Sequence, residues 1–426
     1  MHILSKHDRI HQNIGIRRTS CHQIAPNSPN IQIICSHREG SSMDISSSFG
    51  DAEVQFVAEG ASGYLTIDLG ALRRNYETLV AMLRPARCAA VVKADAYGLG
   101  ATVVSRTLGD AGCRDFFVAQ FVEAIRLKDT LPADARLYVL NGLQPGNEER
   151  CAADGIIPVL NSLPQLRRWS ELARQVGRSL PAVLQVDSGM SRLGLSPEEC
   201  SILSREMNEH AGLEFQFVMS HLACADEGGH LMNGKQLAEF ERLSGLFPGI
   251  RICLANSGGI FLGGDFHHTL ARPGIALYGG NPTVGAPNPM EPVVRLDVAV
   301  VQTRTVPTGT RIGYGGSHIA DREMHLATIA AGYADGLPRA LSGTGAVYHA
   351  GVRLPIVGRV SMDSIIIDVS ALPKDTLTLG SLVEVVGEHQ TLEAIAEAAG
   401  TISYEILTGL GHRYQRLYRQ VQLQDV

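Results

Sequence analysis

Apolar and polar positions change rhythm along the chain. From Tyr64 onward, short β-rich apolar runs alternate with stretches whose apolar residues recur at helical spacing. The runs predict strands at 65–68, 88–93, 116–119, 137–140, 156–160, 182–186, 215–220, 252–255 and 271–277. Segments such as 163–173 (Leu-Pro-Gln-Leu-Arg-Arg-Trp-Ser-Glu-Leu-Ala) predict the intervening helices. Strand–helix alternation implies parallel strands joined by right-handed crossovers. Without the first run, the strands number the eight that close a (β/α)8 TIM-like barrel. An open doubly wound sheet is the alternative. The extra strand near Leu65 is free to pair elsewhere, for instance with a second domain.

The segment 281–292 holds four prolines, which stop both helix and central strand, so it reads as a linker. Beyond it, β runs at 293–304, 325–329, 352–357, 365–369 and 382–386 are separated by glycine and turn residues. This texture predicts a mostly β domain. An amphipathic stretch at 392–399 predicts a helix near its end. The expected organisation is an extension at 1–63, a barrel at 64–281, a linker at 282–292 and a β domain at 293–426. The extension is rich in Ser, His, Asn and Arg without apolar periodicity, and reads as a disordered tail or as sequence ahead of a later start at Met43. Its five Lys/Arg in the first forty residues give weak support to organelle targeting.

Composition narrows the function. The 426 residues are 45% hydrophobic and carry a formal net charge of -6, ample for a buried core and unfavourable for nucleic acid or an anionic membrane as partner. The eight cysteines are dispersed with no C-x-x-C pair, which fits a reduced, cytoplasmic setting and argues against a disulfide framework or metal site. No apolar run reaches the length of a membrane helix.

The sharpest local signal is Ala89-Ala-Val-Val-Lys-Ala-Asp-Ala-Tyr-Gly-Leu-Gly100. A lysine at the mouth of a buried strand is partly desolvated, which lowers its pKa toward a nucleophilic range. A strand-end lysine with a snorkelling stem fits the same residues. Four further motifs follow: Val186-Asp-Ser-Gly-Met-Ser-Arg-Leu-Gly194, Met219-Ser-His-Leu222, Leu254-Ala-Asn-Ser-Gly-Gly259 and Ala271-Arg-Pro-Gly-Ile-Ala-Leu-Tyr-Gly279. Arg311-Ile-Gly-Tyr-Gly-Gly316, Ala331-Gly-Tyr-Ala-Asp-Gly336, Gly358-Arg-Val-Ser-Met-Asp-Ser364 and Ser403-Tyr-Glu-Ile-Leu407 lie in the second domain.

In this order, from Tyr64 to Arg419, the motifs resemble those of alanine racemases. The resemblance implies pyridoxal 5'-phosphate (PLP) carried covalently on Lys93, with Tyr97 lining its site. It implies that Arg192 meets the PLP phenolic oxygen and the substrate carboxylate, a pairing that a planar guanidinium can make with two hydrogen bonds. His221 would pack on the cofactor ring and link a catalytic tyrosine to Arg272. Ser257, the backbone of Gly274 and Ile275, and the Tyr404 hydroxyl would hold the phosphate. Arg272 would face the pyridine nitrogen; as a donor-only group it cannot protonate that nitrogen.

The resemblance further implies a two-base interconversion of L- and D-alanine, with Lys93 on one face and Tyr314 on the other. A chain Tyr314–His221–Arg272 would lower the tyrosine's pKa. Met362 would contact substrate through its backbone, and Tyr333 and Asp363 would line the entrance. The second-domain residues would complete the site of a partner chain in a homodimer. Where many relatives have a carbamylated lysine, this chain has Gln185. Its amide oxygen, or a bound chloride, is the expected substitute in holding Arg192. A racemase of broader specificity and a non-catalytic PLP-binding homeostasis protein are the alternatives. The β domain with Tyr314 argues against the second, and Arg272 argues against a decarboxylase of the same architecture.

Overall fold

A computed structural model describes residues 60–420. The expectations for the amino-terminal extension lie outside the described residues.

Strand β1 (Gly63–Asp68) leads into the first barrel helix, Leu69–Leu83, whose N-terminus is capped by the Asp68 carboxylate accepting from the Ala71 N–H at 2.8 Å. The barrel strands are β2 (Arg87–Cys88), β3 (Ala90–Val91), β4 (Asp115–Val118), β5 (Arg136–Val139), β6 (Ile157–Leu160), β7 (Leu180–Gln185), β8 (Leu213–Met219), β9 (Ile252–Cys253) and β10 (Leu270–Ala271). Strands β3 to β9 form one parallel sheet in sequence order. Strand β10 closes the ring. Thr269 N–H donates to Ile252 at 3.2 Å and Arg272 N–H to Ala255 at 2.9 Å on one side. On the other side β10 pairs with β2, and Ala89 N–H donates to Ala271 at 2.9 Å. β2 and β3 are thus one interrupted strand, and the closed barrel replaces the open-sheet alternative.

Aromatic rings fill the interior. Tyr138 on β5 lies 4.5 Å from Phe117 on β4 and 5.4 Å from Phe217 on β8, ring centre to ring centre. Strands β5 and β8 are not neighbours, so these rings meet across the barrel. All three are fully buried.

The second domain contains β11 (Val294–Val306), β12 (Arg311–Ile312), β13 (His318–Ile319), β14 (Met324–Ile329), β15 (Ala346–His349), β16 (Val352–Pro355), β17 (Ile365–Asp368), β18 (Leu382–Val386) and β19 (Gln415–Arg419). Strand β1 lies in this sheet, antiparallel to β11 and parallel to β19. The extra strand therefore does pair with the second domain. A helix at Leu392–Ala398 matches the amphipathic stretch; a further one at Ser403–Gly409 carries Tyr404.

One expected strand is corrected. The run 271–277 does not stay extended: β10 ends at Ala271 and a single 3-10 turn follows at Ile275–Tyr278. Pro273 lacks the N–H a ladder needs, and the Gly274 N–H goes to the Ser257 hydroxyl instead, at 2.9 Å.

Among the described residues no helix is long and apolar enough to cross a membrane.

Candidate active site

Lys93 opens a turn of unusual backbone. Ala94, Asp95, Ala96 and Tyr97 have φ of 52°, 55°, 53° and 58° in succession. Left-handed backbone costs an L-residue about 1–2 kcal/mol, so neighbours must hold the run in place. Ala96 N–H donates to Val92 at 2.9 Å, and Ala94 N–H donates to the Glu123 carboxylate at 2.6 Å. From the second domain, Arg416 donates to the Gly98 carbonyl at 2.9 Å and the Tyr418 hydroxyl to the Leu99 carbonyl at 2.9 Å. Burial lowers the Lys93 pKa, and the Arg192 charge lowers it further, while Glu123 acts in the opposite sense.

Tyr97 is buried, its ring 4.7 Å from that of Tyr278 and 6.0 Å from that of Tyr404. Burial pushes the Tyr404 hydroxyl up to about 12. Gly274 passes so close to Tyr97 that an added Cβ would lie 2.2 Å from its hydroxyl oxygen. Ser257 Oγ accepts from Gly274 N–H at 2.9 Å and from Ala276 N–H at 3.3 Å. Its own O–H is left to donate. Tyr97, Tyr404, Ser257, Gly274 and Ile275 therefore gather at one end of the site.

Arg272 is 3% exposed, yet among the described residues it has no ion pair with an acid. Its guanidinium donates to the carbonyls of Ser220 (2.6 Å), Cys253 (3.2 Å) and Leu254 (3.3 Å), and to Cys253 Sγ (2.6 Å). His221 is pushed down to about 3, by burial first and then by the charges of Arg272, Arg192 and Lys93. Its ring is neutral at ordinary pH.

The Arg192 loop is built on Asp187, whose Oδ1 accepts from Gly189, Met190 and Ser191 N–H at 2.9, 3.0 and 3.1 Å. Ser188 and Ser220 share a buried hydroxyl bond of 2.8 Å, which ties this loop to the His221 strand end. Gln185, only 5% exposed, does not use its amide oxygen on Arg192. Its Nε2 donates to the Leu193 carbonyl at 3.3 Å, so it steadies the backbone beside the arginine. Among the described residues no bond joins Gln185 to that guanidinium.

The expected Tyr314–His221–Arg272 relay is not formed within one chain. Tyr314 is 70% exposed, and the Arg272 donors are taken up by carbonyls and a thiol. Met362 is 52% exposed, and Tyr333 and Asp363 are also exposed. Tyr333, Met362 and Asp363 are held together instead. Tyr333 N–H donates to the Ser361 carbonyl and Ala334 N–H to the Met362 carbonyl, both at 3.0 Å. Arg413 donates to buried Asp335 at 2.6 and 2.8 Å and to Asp363 at 2.7 Å. Sequence reading missed Glu123, Cys253, Tyr278, Asp335 and Arg413. Only Tyr278 and Asp335 stood inside motifs already singled out.

Two family matches cover these two parts of the chain. Residues 67–282 match the family described as Alanine racemase, N-terminal domain, and residues 293–418 that described as Alanine racemase, C-terminal domain. The chain belongs to the alanine racemase family. Among curated members of the alanine racemase family, a protein of Rhizobium johnstonii named "Alanine racemase, catabolic" is 65% identical over 363 residues, 85% of this chain and 96% of that protein. One of Brucella abortus named "Alanine racemase" is 52% identical, covering 84% of this chain and 94% of its own length. The crystal structure of alanine racemase from Bartonella henselae with covalently bound pyridoxal phosphate superposes with a TM-score of 0.82 at 45% identity. It covers 84% of this chain and 100% of its own.

Proposed function

We propose that this chain is a PLP-dependent alanine racemase that interconverts L- and D-alanine by a two-base mechanism. One observation carries the reading. An amine of lowered pKa, Lys93, and a buried arginine, Arg272, that has no acid partner among the described residues both lie close enough to His221 for their charges to act on its ring. The donor set fits PLP part by part. The cofactor's aldehyde needs an uncharged amine, the form that burial and the Arg192 charge favour at Lys93. Its ring nitrogen would face Arg272, a donor that cannot release its proton. Its phosphate needs several donors, which the Ser257 and Tyr404 hydroxyls would offer beside the Gly274–Ile275 turn, whose Gly274 N–H is held by Ser257 in this structure.

When bound, PLP supplies an electron sink that acidifies the Cα–H of an amine attached to its aldehyde carbon. Lys93 Nζ takes or returns the Cα proton on one face. Tyr314 of the partner subunit serves the other. Arg192 holds the substrate carboxylate. Arg272 keeps the sink weak, which disfavours long-lived carbanions and side reactions. The exposed Tyr314, Tyr333, Met362 and Asp363 support a homodimer in which each chain completes the other's site. The dispersed cysteines, unpaired among the described residues, support a cytoplasmic setting.

Gln185 favours a second reading, a racemase of broader specificity, because it leaves Arg192 without the charge of a carbamate. An amino-acid panel separated by chiral chromatography, run beside Tyr314→Phe, tests both readings. Loss of both directions in the variant supports two bases, and full retention rules the scheme out. Borohydride should fix the cofactor to Lys93; purified protein that takes up no PLP would refute the proposal.

A further inference from the structure

Glu123 reaches out of its own loop. It is the third residue of the helix Phe121–Leu127 that follows β4. Its Oε2 accepts from Ala119 N–H and Gln120 N–H, both at 2.8 Å. Those two bonds are what a carboxylate at a helix start ordinarily makes. The third is different. Oε1 accepts from Ala94 N–H, at 2.6 Å, across to the exit of the neighbouring strand β3.

Ala94 directly follows Lys93 and begins the left-handed run. Alanine gains nothing from that conformation, so the peptide between Lys93 and Ala94 stays turned only while something holds it. A charge-assisted bond to a carboxylate, itself fixed by two further N–H groups, is a stiff anchor. The backbone bonds from Ala96 N–H to Val92 and from Gly98 N–H to Ala94, at 2.9 and 2.8 Å, close the turn, but neither engages the Ala94 N–H, which is left to Glu123.

We infer that Glu123 is a positioning residue for Lys93, aiming its amine by anchoring the amide of Ala94. The inference rests on the reading of Lys93 as the cofactor-bearing, proton-accepting lysine. Glu123 also has an electrostatic role. The charged groups that act on Lys93 are Arg192 and Glu123, and Lys93 in turn acts on His221. Burial and Arg192 lower the amine's proton affinity, and Glu123 is the acid that limits the fall. An amine depressed without limit would be a good nucleophile and a poor base.

Glu123→Gln and Glu123→Asp separate position from charge in the holoenzyme. The aspartate variant keeps the charge but is one methylene short of Ala94. It should lose about a hundred-fold in kcat with KM little changed, and the acid limb of its kcat profile should stay in place. The glutamine variant keeps the length, removes the charge and turns an amide NH2 toward N–H donors. It should lose kcat and also shift the acid limb to lower pH. In both, the fraction of Lys93 fixed to PLP by borohydride without substrate should fall. A lower melting temperature with kcat, acid limb and trapped fraction all as in the wild type would reduce Glu123 to a helix cap and overturn the inference. Failure of the wild type itself to trap PLP on Lys93 would instead overturn the functional reading. Should neither variant fold, amide exchange in the wild-type holoenzyme decides. Ala94 N–H should be protected although the residue is exposed, and rapid exchange there overturns the inference.

Discussion

Nη1 of Arg272 lies 2.6 Å from Sγ of Cys253, the residue that ends β9. A buried guanidinium is thus solvated by a thiol and three carbonyls rather than neutralised by a carboxylate. Burial pushes the Cys253 thiol up, so it stays protonated beside the cation despite the pull of Arg272. The arrangement fixes the direction of a buried guanidinium just beyond the end of β10. Cys253→Ala should leave a buried donor under-satisfied, costing about 1–3 kcal/mol. Thermal unfolding reads that loss, and kcat should fall with it because Arg272 gains freedom. A variant unchanged in both would show that the thiol does not steer the arginine.

His221 sets an acid limit on stability. Its folded value of about 3 lies below the ordinary 6.5. Between these values the unfolded chain binds a proton that the folded chain does not. Stability therefore falls as pH drops through that window. The urea midpoint should decline from pH 6.5 toward 3, and His221→Gln should flatten part of the slope. An identical slope in the variant would assign the acid sensitivity to carboxylates alone.

Gly274→Ala tests the phosphate end. The new Cβ would lie 2.2 Å from the Tyr97 hydroxyl oxygen, and both groups are buried. Overpacking of this kind costs about 1–3 kcal/mol, or about 5- to 150-fold in PLP affinity if the bound form bears all of it. Equilibrium titration with PLP measures it; unchanged affinity would remove Gly274 from the site.

Exchange of subunits tests the shared site. Lys93→Ala and Tyr314→Phe homodimers should each be inactive. After mixing, half of the dimers are hybrids and each hybrid holds one intact site, so about a quarter of wild-type activity should appear. No recovery after demonstrated exchange would place Lys93 and Tyr314 in the same chain's chemistry.

Gln185→Lys replaces the amide that donates to Leu193. The buried lysine should take up carbon dioxide as a carbamate. Substrate KM should then become bicarbonate-dependent. Unchanged KM at all bicarbonate levels would show that this position does not control Arg192.

The barrel was legible because each strand is a buried apolar run and the lysine, arginine and glycine motifs stand at its strand ends. The first strand was recognised as surplus for the same reason. Other features left no local trace. Strand β19 is Gln-Arg-Leu-Tyr-Arg at a sheet edge, and such a strand carries little apolar alternation. The left-handed turn is written in Ala-Asp-Ala-Tyr, residues that mostly avoid positive φ, so nothing in their identity announces it. The Glu123 bond to Ala94 spans 29 residues, and only the pairing of β3 with β4 brings the two strand exits side by side. Gln185 stands out in the sequence as a departure, but the direction of its amide depends on where the Leu193 carbonyl points.

Strand β1 sits between β11 and β19, so the barrel is an insertion within the β domain rather than a module placed ahead of it. During synthesis the first strand must wait for both neighbours, the second of which is made last. Cutting the gene at the proline-rich segment would strand β1 on the wrong fragment, with two bare edges and no sheet to join. The two halves are therefore inseparable by simple truncation, and a soluble isolated barrel would have to begin after Asp68.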